Sequence, residues 1–417
     1  MDKIVIEGGS RLSGEVNISG SKNAALPILV SSLLADGVNT YSNVPNLRDI
    51  ESIKSLMQKL GATVESDGNI VKIDASGLNN YEAPYEIVRK MRASILVLGP
   101  LIARLKKARV SLPGGCAIGA RPVDLHLKGL IALGAKIELN HGYINAVAEK
   151  LVGTDIYFDI ITVTGTENLM MAASLAEGET ILRNCAREPE VVALADTLNK
   201  MGAEITGAGT SIIKIKGQKT LNPTSVEVIS DRIEAGTFIV AGALTEGNIK
   251  IIGAEPENLG SIINKLRQTG TDIIIDGRNI LVKGPKKIKS ADVKTLPYPG
   301  FATDMQAQFM VLMSVADGSS VISENVFENR FIHVSELQRM GANINISGNT
   351  AIVKGVENLS GAPVMATDLR ASASLIIAGL RAIGTTEVHR VYHLDRGYES
   401  IEKKFQALGA NIKRTKE

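Results

Sequence analysis

Met201-Gly202-Ala203-Glu204-Ile205, followed after a turn by Ile212-Ile213-Lys214-Ile215, decides the fold. A hydrophobic residue, then glycine, is how many helices end, because glycine accepts the left-handed conformation of the C-cap. The isoleucines that follow read as two short strands. The same ending recurs six times, as Leu60-Gly61-Ala62, Leu133-Gly134-Ala135, Met201-Gly202-Ala203, Thr269-Gly270-Thr271, Met340-Gly341-Ala342 and Leu408-Gly409-Ala410. The glycines lie 73, 68, 68, 71 and 68 residues apart. A fixed period of this kind means a repeated supersecondary unit. After five of the six endings a strand, a turn and a second strand follow, with Asp67-Gly68, His141-Gly142, Asp276-Gly277 or Gly348-Asn349 in the turns.

A second glycine precedes the first. Gly37, Gly178, Gly247, Gly318 and Gly384 stand 24, 24, 23, 23 and 25 residues ahead of their partners, each expected to close another helix. The spans 23–35, 93–103, 168–176, 235–245, 305–316 and 371–380 carry no charged side chain. A helix uncharged all round is buried on all sides. The later helices, such as 49–60 and 399–408, are amphipathic and belong at the surface. Each unit therefore has one buried helix, one surface helix and several strands. The sixth unit stops short of its second hairpin strand. Lys3-Ile4-Val5-Ile6-Glu7-Gly8 matches the missing piece, reading like Ala351-Ile352-Val353-Lys354-Gly355. The expected fold class is α/β, with two similar domains of three units each. One domain covers residues 22–229; the other joins 1–21 to 230–417, its N-terminal strand completing the last unit.

The 417 residues are 44% hydrophobic and 22% charged, which suits a globular protein of two domains. A net charge of +2 with no basic block gives no argument for nucleic acid. No apolar run reaches the length of a membrane helix, and the opening reads as a strand rather than a signal peptide. Two separated cysteines, Cys116 and Cys185, point to a reducing cytoplasm without a disulfide. Five histidines in no ligand spacing give no zinc site.

The charges missing from the helix interiors collect at their starts: Lys22-Asn23, Arg92, Thr166-Glu167-Asn168, Asp231-Arg232-Glu234, Asp304 and Asp368-Arg370. Asp304, Asp368 and Thr166 suit N-caps. Lys22, Arg92, Arg232 and Arg370 stand where the helix dipole opposes them, so an anion is expected to share the place. The implied ligand is multiply anionic and held in a cleft between the domains. The glycine- and proline-rich run Leu112-Pro113-Gly114-Gly115-Cys116-Ala117-Ile118-Gly119-Ala120-Arg121-Pro122-Val123-Asp124 sets a cysteine beside an arginine, which favours its thiolate. Cys185 reads as structural, and His126 as a supporting residue.

Taken together, these residues resemble the enolpyruvyl transferases. The resemblance rests on Gly20-Ser21-Lys22-Asn23, Met91-Arg92-Ala93-Ser94, the Cys116 loop, Thr303-Asp304-Met305-Gln306-Ala307-Gln308, Val326-Phe327-Glu328-Asn329-Arg330-Phe331, Ala366-Thr367-Asp368-Leu369-Arg370-Ala371-Ser372 and Asp395-Arg396-Gly397-Tyr398-Glu399. The loop is similar to that of the branch whose acceptor is UDP-N-acetylglucosamine. The resemblance implies an inside-out α/β barrel for each domain, and transfer of enolpyruvyl from phosphoenolpyruvate to the sugar 3-hydroxyl with release of phosphate. It implies no metal or organic cofactor. It gives Cys116 as proton donor and fosfomycin target, and Asp304 as base. Lys22, Arg121 and Arg396 fall to phosphoenolpyruvate, Asn23 to the sugar and intermediate, and Asp368 and Arg370 to closure and the intermediate. Arg92, Arg121, Pro122, Val123, Asp124, Leu125, Thr162, Val163 and Val326 fall to the nucleotide sugar. Ile160 departs from the family, which often has lysine in that segment. The sister reading, with shikimate 3-phosphate as acceptor, is disfavoured by the cysteine loop. A non-catalytic binder of nucleotide sugar is the other alternative, and a solenoid-like interaction protein is disfavoured by the closure of the chain ends.

Overall fold

The structure, a computed structural model, describes residues 2–113 and 123–416. The repeat appears as six four-stranded sheets of one design. In the sheet built from residues 155–216, Asp155–Tyr157 runs parallel to Glu179–Arg183, which is antiparallel to Ile212–Lys216, which in turn pairs with Glu204–Thr206. The hairpin was legible from its isoleucines. The parallel edge strand was not, since at three residues it is too short to show a period. Its connection to the next strand is the buried helix Val163–Ala173, the crossover that a parallel pair requires.

The chain divides into two compact units, residues 2–19 with 230–416 and residues 20–113 with 123–229. Each holds three of the six sheets. In the second, Ser225–Glu227 returns to lie parallel to Val38–Ser42 and completes the first sheet with the last strand. In the first, Asp2–Glu7 lies between Thr385–His389 and Asn411–Lys416, and Ser13–Asn17 runs parallel to Asn248–Ile252. The opening residues thus complete two sheets. The likeness of Gly8 to Gly355 has a steric cause. A Cβ at Gly8 would sit 1.9 Å from the Ala382 carbonyl oxygen, and one at Gly355 would sit 1.7 Å from that of Ala316. Both glycines let a strand end pass against the end of a buried helix.

The uncharged helices are the cores. All thirteen residues of Arg232–Leu244 are buried, as are all nine of Gln306–Ser314. The surface helix Arg48–Leu60 instead buries Ile50, Ile53, Met57 and Leu60 on one face. Each such side chain contributes about 1.5–3 kcal/mol by leaving water. The glycines that end the surface helices all have φ between 89° and 106°. The earlier set of glycines differs in one place. Glu246, φ 52°, takes the left-handed turn that the pattern assigns to Gly247. In the second repeat, where no such glycine exists, Lys106 ends the helix Leu98–Leu105 at φ 62°.

Candidate active site

In the unit of residues 20–229, Ser21 caps the helix Lys22–Ser31 by accepting from the Ala24 N–H at 3.3 Å. This puts Lys22 and Asn23, both half-buried, in the first turn. The Lys22 ammonium lies 3.5 Å from Asp49, which is buried on the facing helix Arg48–Leu60. Arg92 opens the 3₁₀ turn Arg92–Val97 and is half-buried. Val123 precedes the helix Asp124–Ala132, on which Asp124 is exposed and Leu125 half-buried.

His126, one residue on, is buried. Its Nδ1 lies 2.9 Å from Asn168 Nδ2 and its Nε2 lies 3.3 Å from Thr164 Oγ1. Asn168 Oδ1 accepts from the Gly99 N–H, so its amide orientation is fixed and Nδ2 faces the ring as donor. Nδ1 is therefore the acceptor and Nε2 carries the proton. Burial, helped by Arg92, lowers the pKa of His126 to about 4, so the ring is neutral in the physiological range. His126 is a strut between the starts of buried helices, as its sequence position implied.

Thr162, not Thr166, caps the helix Val163–Ala173, accepting from the Gly165 N–H at 3.2 Å. Thr166 donates back to the Thr162 carbonyl and accepts from the Ala186 N–H. Thr162 and Val163 are half-buried at this helix start. Ile160 is 69% exposed, and its neighbour Asp159 pairs with Lys128 at 2.9 Å. Glu167 is buried near Glu188 and Glu190; burial first, then these two carboxylates, push its pKa well above the usual range. Glu167 holds a proton where ordinary glutamates do not. Burial pushes the Cys185 thiol up to about 12, so this cysteine is inert, as expected.

In the other unit Asp304 is the centre. It is no N-cap. It lies inside the short turn Thr303–Met305, with both carboxylate oxygens engaged. Oδ1 accepts from Arg330 Nη2 at 2.9 Å. Oδ2 accepts from Arg370 Nε at 3.1 Å and lies 3.0 Å from its Nη2. Both guanidiniums are buried, with side-chain exposures of 4% and 3%. Asp368 does cap its helix, Leu369–Arg381, accepting from the Arg370 and Ala371 N–H groups at 2.8 and 3.1 Å. The cap fixes where Arg370 begins, and so where its fork meets Asp304. Asp231 caps Arg232–Leu244 in the same way. Arg396 ends the turn Val391–Arg396 and is half-buried. Val326 is partly exposed, its N–H held by Glu324 at 2.9 Å.

Three participants escaped the sequence reading. Arg330 was quoted in a motif but given no role. Buried Glu324 accepts from Thr295, Val326 and Phe327 through one oxygen and from Thr303 through the other, tying the loop at 326 to the turn that carries Asp304. Arg414, on the last strand, holds Asp395 at 2.6 Å and thereby the residue before Arg396. Their part in the site has no local signature, because the contact that ties each one to it, Arg330 to Asp304, Glu324 to Thr303 and Arg414 to Asp395, joins residues 26, 21 and 19 apart. Cys116, Arg121 and Pro122 lie outside the described residues. Among the described residues no cluster of His, Cys, Asp or Glu is set to hold a metal ion, and no helix is long and apolar enough to cross a membrane.

This chemistry has relatives. Residues 6–405 match the family model of EPSP synthase (3-phosphoshikimate 1-carboxyvinyltransferase). The chain is 67% identical to the UDP-N-acetylglucosamine 1-carboxyvinyltransferase of Desulfosudis oleivorans, over 99% of both chains. It is 63% identical to that of Geobacter metallireducens, over the whole of both. Among solved structures it is similar to the enolpyruvyl transferase NikO of Streptomyces tendae, with a TM-score of 0.90 at 26% identity and 99% of each chain covered. EPSP synthase of Acinetobacter baumannii shares the fold at a TM-score of 0.77 and 19% identity, over the whole of both chains. From its first sheet to its last surface helix, the chain belongs to the EPSP synthase family of enolpyruvyl transferases, among the UDP-N-acetylglucosamine 1-carboxyvinyltransferases.

Proposed function

We propose that the chain transfers the enolpyruvyl group of phosphoenolpyruvate to the 3-hydroxyl of UDP-N-acetylglucosamine in the cytoplasm, the first committed step of peptidoglycan synthesis. The observation that carries this reading is full-length identity of 58–67% to enzymes of that name. The reaction is addition followed by elimination. Asp304 takes the proton of the sugar hydroxyl as its oxygen bonds to C2 of phosphoenolpyruvate, and Cys116 gives a proton to C3. In the second step a proton leaves C3, the C2–O bond to phosphate breaks, and inorganic phosphate departs.

Asp304 suits the base role because two buried guanidiniums hold its carboxylate, Arg330 on Oδ1 and Arg370 on Oδ2. The guanidiniums fix its plane, and this orientation is most of what a general base needs. Lys22, Arg121 and Arg396 offset the charge of the phosphate and carboxylate and of the tetrahedral intermediate. Asn23 orients the sugar. Arg92, Arg121, Pro122, Val123, Asp124, Leu125, Thr162, Val163 and Val326 hold the nucleotide sugar. Asp368 and Arg370 bear on the intermediate. Thr162 can still donate its hydroxyl proton while it caps its helix, which serves a diphosphate where Ile160 offers no charge.

The test is phosphate release from phosphoenolpyruvate. It is expected to require UDP-N-acetylglucosamine and to stop after exposure to fosfomycin, an epoxide that Cys116 would open. Release driven by shikimate 3-phosphate instead would reassign the acceptor. No release from folded protein that binds the nucleotide sugar would make the chain a non-catalytic binder.

A further inference from the structure

Asn168 lies on the helix Val163–Ala173 and is fully buried. Its amide has three partners, each on a different element. Oδ1 accepts from the Gly99 N–H at 2.8 Å, on the helix Leu98–Leu105. Nδ2 lies 3.3 Å from the Ile95 carbonyl oxygen, in the turn Arg92–Val97, and 2.9 Å from His126 Nδ1, on the helix Asp124–Ala132. Three of these four elements begin at residues that hold the nucleotide sugar in the proposed reaction: Arg92, then Val123 to Leu125, then Thr162 and Val163. The packing leaves no slack around Asn168. A Cβ at Gly99 would sit 2.4 Å from its Oδ1, and one at Gly129 would sit 2.0 Å from Leu169 Cδ1.

The directions of the protons follow by elimination. Asn168 Oδ1 is taken by a backbone donor, so Nδ2 supplies two protons, one for the Ile95 carbonyl and one for the ring. His126 Nδ1 is therefore an acceptor, and in the neutral ring Nε2 carries the proton. Nε2 lies 3.3 Å from Thr164 Oγ1, so the hydroxyl oxygen accepts from the ring and cannot give its own proton back. Among the described residues nothing else takes that proton. Thr164 is half-buried, in the first turn of the helix that Thr162 caps. Its hydroxyl proton is left for a ligand at this helix start, where the dipole favours an anion.

We infer that His126 is a positioning residue for the nucleotide sugar: clamped by Asn168 with its proton on Nε2, it fixes the Thr164 hydroxyl as a donor to the bound diphosphate. The inference rests on UDP-N-acetylglucosamine as the acceptor substrate. The imidazole acts through Thr164 rather than on the substrate. A hydroxyl whose oxygen already accepts is polarised into a better donor, and an anionic oxygen gains most from it. Phosphoenolpyruvate falls to Lys22, Arg121 and Arg396 instead, so the effect belongs to one substrate only.

His126→Phe keeps a ring and removes both nitrogens. It is expected to raise the Kd of UDP-N-acetylglucosamine in titration calorimetry, and its KM, about 10-fold, with KM for phosphoenolpyruvate unchanged. His126→Gln offers an amide oxygen to Asn168 and an amide N–H to Thr164, and is expected to recover most of the loss. Unchanged affinity in His126→Phe, an equal rise in both KM values, or His126→Gln no better than His126→Phe overturns the inference. The nitrogen chemical shifts of isotope-labelled histidine read the tautomer directly, with the His126 signals identified by their loss in His126→Gln. A proton on Nε2 alone supports the inference; a proton on Nδ1 at neutral pH overturns it. Should His126→Phe not fold, Thr164→Val serves, because it removes the hydroxyl at a half-buried position. Thr164→Val weakened and Thr164→Ser restored supports the inference; Thr164→Val at full affinity overturns it. If the parent protein binds UDP-N-acetylglucosamine and every variant binds it equally, only the positioning role fails. If the parent protein does not bind it at all, the acceptor assignment fails and the inference falls with it.

Discussion

Asp304 divides its two oxygens between guanidiniums that are themselves almost wholly buried. Removing the carboxylate charge leaves two buried cations without their counter-ion, which is costlier than the loss of a surface pair. Asp304→Asn is therefore expected to lose phosphate release and also about 3 kcal/mol of stability, read as a lower midpoint in urea unfolding. Stability intact with activity gone would mean that the arginines find other partners. Asp304 was legible in its motif, whereas its pairing with Arg330 was not. Twenty-six residues separate them, and only the fold brings them to 2.9 Å. The buried histidines give a second expectation at this scale. His126 and His333 both have pKa values lowered to about 4 by burial. The folded state keeps them neutral, so below the ordinary value near 6.5 the unfolded chain takes up protons that the folded one refuses. Their contribution is unaffected above pH 6.5 and is lost between pH 6.5 and 4, by up to about 3 kcal/mol each. Urea midpoints for wild type and His126→Gln should converge as the pH falls through that window. Parallel curves would place the His126 pKa at its ordinary value.

The elements owe their ends to left-handed residues, and these ends are where sequence reading did best. Each surface helix stops at a glycine that the period had marked. The pattern weakened where another residue does the same work. Lys106 takes φ 62° at a helix end that lacks glycine, at a steric cost of roughly 1 kcal/mol for a residue with a Cβ. Lys106→Gly is expected to recover about that much, less the entropy that glycine adds to the unfolded chain, so the melting temperature should rise slightly or hold. The contrast is Gly61, at φ 106°, where a Cβ would stand 2.4 Å from the Gly77 carbonyl oxygen. Gly61→Ala suffers both strain and collision, and is expected to lower the melting temperature by several degrees. Equal small effects at both positions would show that backbone conformation does not govern these ends. Side-chain caps were harder to read than glycines. Thr162 and Thr166 both carry a hydroxyl near one helix start, and the choice depends on a single turn of backbone that composition leaves open.

At the scale of the molecule, the question is why a repeat read from spacing alone leads to two bodies rather than an open array. An open array of sheets leaves edge strands bare at each end. Here each unit borrows a strand from a distant part of the chain: Ser225–Glu227 in one, Asp2–Glu7 and Ser13–Asn17 in the other. The sequence displayed the Asp2–Glu7 match because that strand is long and alternates. The short Ser225–Glu227 strand left no comparable trace. Asp2 stands opposite Lys416 in the sixth sheet, so the two ends are neighbours across one strand pair, about 5 Å apart. What the fold needs is that strand in its place, not its position at the start of the chain. A permuted chain that joins 417 to 1 through a short glycine-serine linker and opens at Gly348-Asn349, an exposed hairpin turn in another sheet, should fold and melt close to the parent. Deleting residues 1–8 should not be tolerated. It would remove the strand between Thr385–His389 and Asn411–Lys416, with Ile4 and Ile6 that each sit at 0% exposure, leaving Asn411–Lys416 without a partner strand and Thr385–His389 paired on one edge only, to Pro363–Met365. Circular dichroism melts of the two variants decide the matter: a stable deletion would mean that the sixth sheet stands without its borrowed strand, and closure is then not what holds this unit together.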